Sequence, residues 1–256
     1  MSVRARREAA VVTLTLDAPE TRNALSAAMM DELNGHADAL ASDPGARVVV
    51  LQGDGETFCA GGDLNWMRAQ ADASPDERRR EARRLADMLG RLDRLPQAVI
   101  ARVQGGAFGG GVGLMSVCDV AVVADDARFG LTETRLGLIA ATIGPYVAAR
   151  IGPAARRHML SGARFDAAEA VRIGLAARAV PAADLDRAIE REVAEHLKAA
   201  PGAIAATKRM LRDLAPPVDE AAVASSVDRL IARWESDEAA EGIGAFLGKR
   251  KPGWVE

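Results

Sequence analysis

The chain has 256 residues, 49% hydrophobic and 27% charged, with a formal net charge of -3. This composition speaks against a disordered or membrane-embedded protein, and a weakly acidic chain lacks the overall basic field of a nucleic-acid binder. Domains run to roughly 100 to 200 residues and α/β folds often reach about 250, so the length fits one large domain or one with an appendage.

Residues 11–16 read as a strand, ended by the turn-forming residues 17–22 with Pro19 among them. Ser26 is placed to cap a helix on which Met29, Met30, Leu33, His36 and Leu40 recur at helical spacing until Pro44 and Gly45. Residues 48–51 are a short apolar run of the kind buried on both faces of a sheet. Residues 76–95 predict a charged amphipathic helix whose intermixed arginines and acids form a solvated face with i,i+4 pairs. Strands follow at 98–103 and 120–123, and this alternation of strand and helix argues for α/β layering. Beyond Thr142 the pattern turns helical, over 143–151, 153–160, 167–173, 183–200, 202–214 and 217–234, with only 177–180 extended. The expected organisation is an α/β core over residues 1–195 and a helical region over 196–256.

Absent motifs narrow the chemistry. Cys59 and Cys118 form no CxxC pair, and the basic residues 1–7 reach Glu8 before any apolar run of leader length, so a reducing cytoplasm is expected. No GxGxxG, complete Walker motif or GxSxG occurs. His36, His158 and His196 lack metal-ligand spacing and read as helix-surface residues. Neither a metal nor a redox cofactor is therefore expected. Lysine is confined to positions 198, 208, 249 and 251, so an anionic ligand must be met by local charge.

Two glycine-rich segments, 58–64 and 105–114, share one grammar: a strand enters, small residues make the turn, a helix leaves. Amides at such a helix start are open, and the helix dipole adds positive potential. Two converging segments of this kind would make an oxyanion hole. The other use of such glycines is close packing of helix on sheet.

The chain resembles the enoyl-CoA hydratase/isomerase family, or crotonase superfamily, along essentially its whole length. The matching pieces are Arg22 Asn23 Ala24 Leu25, residues 58–64, residues 103–111, Cys118 Asp119, Phe129 Gly130 Leu131 Thr132 Glu133 with residues 136–139, and residues 246–252. The resemblance implies a spiral of repeated strand-strand-helix turns, a C-terminal helical region that mediates trimerisation, and homotrimers or hexamers. It implies an acyl-CoA thioester as substrate, with CoA as part of that substrate and no separate cofactor. The oxyanion donors would be the amides of Ala60 and Gly110, and the acid/base would be Glu133, where apolar neighbours could raise its pKa. The binding set implied is Arg22, Ala24, Ala60, Gly62, Asp63, Leu64 and Gly110, with Phe246 and Lys249 reaching the CoA adenine and phosphates, often from a neighbouring subunit. Lys249, Arg250 and Lys251 are also the densest positive cluster in the tail.

One position departs from the family pattern. Typical hydratases carry a first catalytic glutamate three residues after the central oxyanion glycine, and this chain has Gly113 there. Finer resemblance, in residues 61–67, 109–114, 131–139, 141–143 and 145–147, is to a bacterial branch of methylglutaconyl-CoA and isohexenylglutaconyl-CoA hydratases that also has glycine at this point. Ala140 stands where the family usually has proline. These features imply a hydratase; a 3,2-enoyl-CoA isomerase using Glu133 alone and a non-catalytic acyl-CoA-binding subunit are the alternatives. If the acyl group carries a carboxylate, Arg135, two residues after Glu133 on an extended segment, would face the same side.

Overall fold

A computed structural model describes residues 1–215 and 218–256. The main sheet takes six strands: β1 (Val3–Glu8), β2 (Val11–Leu16), β3 (Val48–Gly53), β4 (Ala98–Val103), β6 (Val120–Ala124) and β9 (Arg178–Val180). Their spatial order is β1-β2-β3-β4-β6-β9; the first pair is antiparallel and the others parallel. Leu14, Leu51, Ala101 and Ala121 sit side by side across the register, all fully buried. Parallel strands covered on both faces read as continuous apolar runs, which is why β3 and β4 are plain in the sequence. β1 is not: only Val3 of its residues is buried, and the remainder, all charged except Ala5, face solvent at the sheet edge.

A second sheet of three short strands, β5 (Gly106–Phe108), β7 (Arg128–Gly130) and β8 (Phe165–Asp166), carries the functional region. At two or three residues each, and with glycine at two ends, these strands have too little pattern to be read as such.

The helices in chain order are α1 (Ala27–Ala41), α2 (Leu64–Asp72), α3 (Pro75–Asp93), α4 (Gly110–Val117), α5 (Gly144–Ile151), α6 (Ala154–Ser161), α7 (Ala167–Arg172), α8 (Leu185–Lys198), α9 (Pro201–Leu214), α10 (Glu220–Trp234) and α11 (Asp237–Leu247). Ser26 caps α1 as expected, its side chain accepting from Met29 N. Ser74 and Glu77 form a reciprocal capping box on α3. The expected start of α10 at Pro217 lies outside the described residues, and Asp219 caps the helix observed. α11 went unread because three helix-poor glycines lie within or directly after it, yet Ser236 caps it and Ile243 and Ala245 are buried.

The arginines of α3 do more than pair along their own helix. Arg83 meets Asp87 at 2.7 Å, and also bridges to Glu220 on α10; Arg84 and Arg91 reach Asp31 and Asp38 on α1. α3 is thereby tied to both ends of the chain. α8, which spans the expected boundary at residue 195, packs on β3, β4 and β6.

The chain from β2 into α1 turns on Asn23. It is fully buried with φ of 53°, its Oδ1 accepts from Ala18 N at 2.9 Å, and its Nδ2 donates to Asp54 O and Thr57 O at 2.8 and 2.7 Å. Asn tolerates this left-handed conformation better than most residues. Asn23→Ala leaves three part-buried backbone groups without this partner and is expected to destabilise by about 2 kcal/mol, read as a lower urea midpoint. An unchanged midpoint would show that the side chain does not hold the loop.

Candidate active site

The two glycine-rich segments converge. Cys59 N donates to Gly106 O at 3.2 Å and Phe108 N to Cys59 O at 3.1 Å, so the first segment is stitched to β5. A Cβ on Gly61, at φ of 97°, would stand 2.9 Å from Phe108 O, and one on Gly111 would stand 2.6 Å from Cys59 O. Glycine is needed here for close approach of two backbones, which is the packing use of these glycines.

β5 ends at Phe108, and α4 begins at Gly110, whose N–H is the first of the helix and has no acceptor among the described residues. The second expected donor is differently placed. Ala60 N–H borders the same space but donates to Arg22 O at 3.0 Å, with Arg22 held at φ of 55°. Sequence patterning marks where amides are exposed by glycines but not which carbonyl lies opposite them.

β7 runs parallel to β5, with Phe108 opposite Gly130, and Gly109 N donates to Gly130 O at 2.9 Å. This register delivers Glu133 beside the start of α4. Glu133 opens a 3-10 turn, Glu133–Leu136, and its Oε1 would lie 3.0 Å from a Cβ on Gly109. Its Oε2 is buried and has no hydrogen-bond partner. Burial in apolar surroundings pushes this carboxyl up to about 7.

A cavity of about 620 Å³ opens over these groups. Ala60, Gly110 and Glu133 line it, and so do Arg22, Ala24, Gly62, Asp63 and Leu64 from the first loop and Phe246 from α11. Asp63 also has a structural task, since its Oδ1 accepts from Asn65 N and Trp66 N and caps α2. Lys249 is not among the lining residues. Within the positive tail Arg250 forms a two-pronged pair with Glu241, and Lys251 Nζ donates to Glu256 O.

Two further sequence readings need correction. Arg135 borders the cavity, but it lies on the 3-10 turn, not on an extended segment, so alternation does not carry its side chain to the side of Glu133. Its Nε donates to Ser161 O at 3.4 Å. His158 is no helix-surface residue: it is buried, its Nε2 3.1 Å from Glu169 Oε1 and its ring tilted against Phe165 at 4.3 Å between centroids. Gly113 does not look into open space. A Cβ there would meet Ile143 Cγ2 at 2.6 Å, so the position of the usual first glutamate is filled by the residue that precedes α5.

The sequence reasoning also missed cavity residues. Ala82 and Leu85 of α3 and Leu230 and Trp234 of α10 form a wall, Thr142 and Ile143 lie on the loop before α5, and Arg164 stacks over Phe108 at 5.3 Å. The amphipathic face of α3 was the legible signal, and it did not name its partner. Phe246, expected to serve a neighbouring subunit, lines the cavity of its own chain. Ala140 is buried in the same wall, where Ala141 N to Ile139 O at 2.8 Å and Gly144 N to Ala141 O at 3.0 Å hold the loop without proline.

A family model described as enoyl-CoA hydratase/isomerase matches residues 6–256. The chain belongs to the enoyl-CoA hydratase/isomerase family. Among its relatives, the 2,3-dehydroadipyl-CoA hydratase of Escherichia coli strain K12 is 33% identical over 251 residues, spanning 96% of this chain and 95% of the relative. The carnitinyl-CoA dehydratase of Proteus mirabilis is 35% identical over 253 residues, spanning 95% and 94%. A solved enoyl-CoA hydratase from Mycobacterium avium superposes with a TM-score of 0.85 at 33% identity, over 99% of each chain. The α/β body with its helical C-terminal region is thus the crotonase fold. Among the described residues of this family member no helix is long and apolar enough to cross a membrane, and no group of side chains could hold a metal ion.

Proposed function

We propose that the protein is an enoyl-CoA hydratase that adds water across the 2,3 double bond of an acyl-CoA thioester. The observation that carries the reading is the carboxylate of Glu133, whose Oε2 is buried without a hydrogen-bond partner in a cavity beside an open helix amide. Such a group is costly to keep unless it moves a proton, which argues against a subunit that only binds. CoA is part of the substrate, and no metal or redox cofactor enters the reaction.

The ionised Glu133 takes a proton from water as the water oxygen bonds to C3. The π electrons move onto the thioester oxygen, and Glu133 then returns the proton to C2 of the enolate. Gly110 N–H meets the developing oxyanion, a contact typically worth about 3 to 4 kcal/mol in such sites. Ala60 N–H becomes the second donor when the thioester oxygen replaces the Arg22 carbonyl. Arg22, Ala24, Gly62, Asp63 and Leu64 border the CoA handle, with Phe246 against its adenine and Lys249 at its phosphates.

Double-bond migration needs only one base, and the filling of the Gly113 side by Ile143 also suits a 3,2-isomerase. A panel of 2-enoyl-, 3-enoyl- and methylglutaconyl-CoA with product identification decides between them. A 3-hydroxyacyl product supports hydration; a product that is only the shifted alkene refutes it.

Within this reading the acyl group carries a distal carboxylate, of the methylglutaconyl type. Arg135 and Arg164 border the cavity and have no carboxylate partner among the described residues, and one relative is named for dehydroadipyl-CoA, a dicarboxylic acyl group. Arg135→Met is expected to lower kcat/KM at least tenfold more on a glutaconyl-type substrate than on crotonyl-CoA. Equal losses on both would remove Arg135 from carboxylate recognition. Self-association as a trimer or hexamer in the cytoplasm belongs to the same reading, supported by exposed Met210, Leu211 and Leu214 along α9, and light scattering measures the assembly.

A further inference from the structure

Hydration by a single carboxylate leaves a geometric gap. A water molecule that attacks C3 must be held by more than the base that takes its proton, or it samples unproductive orientations. The side of the cavity where a second carboxylate would arise is closed, since Ile143 Cγ2 fills the space beside Gly113. The residue before Ile143 is Thr142. It is 3% exposed, lines the cavity, and its Oγ1 is buried with no hydrogen-bond partner. Buried hydroxyls without partners are uncommon, and a hydroxyl can both donate and accept. Among the described residues, the side chains with an unpartnered buried polar atom that line this cavity are Glu133 and Thr142; Thr134, the other threonine with such a hydroxyl, does not.

We propose that the Thr142 hydroxyl is the second arm that holds the reacting water opposite Glu133, in the role a second carboxylate would otherwise fill. This rests on the hydratase reading above. The hydroxyl accepts one hydrogen of the water while Glu133 accepts the other, so the oxygen lone pair faces C3. The proton lost goes to Glu133 and from there to C2; the threonine keeps its own proton throughout.

Two reactions separate the arms. Hydration of crotonyl-CoA needs both the base and the held water, whereas exchange of the C2 proton of butyryl-CoA with deuterated solvent needs the base and the oxyanion donors. In Thr142→Val, a near-isosteric change, the ratio of hydration kcat to exchange rate is expected to fall at least about tenfold, with KM changed less than kcat. Thr142→Ser, which restores the hydroxyl, is expected to recover most of that ratio. Thermal melts of both variants confirm that they fold. A ratio unchanged in Thr142→Val, or equal losses in valine and serine variants, overturns the role of Thr142 while leaving the hydratase reading intact. A wild type that exchanges protons but hydrates no substrate overturns the hydratase reading, and this role with it.

Discussion

Glu133→Gln is expected to lower kcat for hydration by about 10²- to 10⁴-fold, the usual weight of a positioned acid/base, with little change in KM. Glutamine keeps the shape and removes the proton transfer. Because burial raises the carboxyl of Glu133 to about 7, kcat/KM of the wild type falls as pH drops through that value, where the base becomes protonated. Stability follows the opposite sign. The folded state holds this proton more tightly than the unfolded chain, whose carboxyl titrates near 4.5. The contribution is therefore fully present below about 4.5 and is lost as pH rises through about 7, a cost of at most about 3 kcal/mol. Glu133→Gln escapes that cost, so it should melt above the wild type at pH 8, with the difference shrinking toward pH 5. Full activity in the glutamine variant, or a wild-type rate independent of pH between 6 and 8, would remove Glu133 from the chemistry.

The second large effect concerns Lys208 of α9. It is 8% exposed, and its Nζ donates to Gln97 O at 2.8 Å and to Asp119 Oδ2 at 2.7 Å, while the same oxygen accepts from Val99 N at 2.7 Å. One ammonium thus fastens a C-terminal helix to the start of β4. Lys208→Met leaves the Asp119 charge without its partner and is expected to cost about 3 to 5 kcal/mol in denaturant unfolding. The double variant Lys208→Met/Asp119→Asn should lose clearly less than the sum of the single changes, as for groups in direct contact. Additive losses would mean that the pair is not coupled.

What could be read from residue order was what local pattern encodes. β2, β3, β4 and β6 announce themselves as buried apolar runs, and the glycine segments and the position of Glu133 carry the family resemblance to the cavity. Contacts between distant segments were not legible. Nothing near Gly113 indicates that Ile143 fills its side, nothing near Ala60 indicates the Arg22 carbonyl, and Lys208 looks like any helix lysine. Arg135 was misplaced for a related reason: alternation was applied to a segment that coils into a 3-10 turn. His158 shows the same limit, because its burial depends on Phe165 and Glu169 of later elements.

Leu230 and Trp234 of α10 and Phe246 of α11 line the same cavity as Glu133, although the turn that presents the carboxylate lies far back along the chain. The cavity is therefore a meeting of segments remote in sequence, so a substitution on α10 or α11 can reshape the space around the carboxylate without altering any residue near it in the chain.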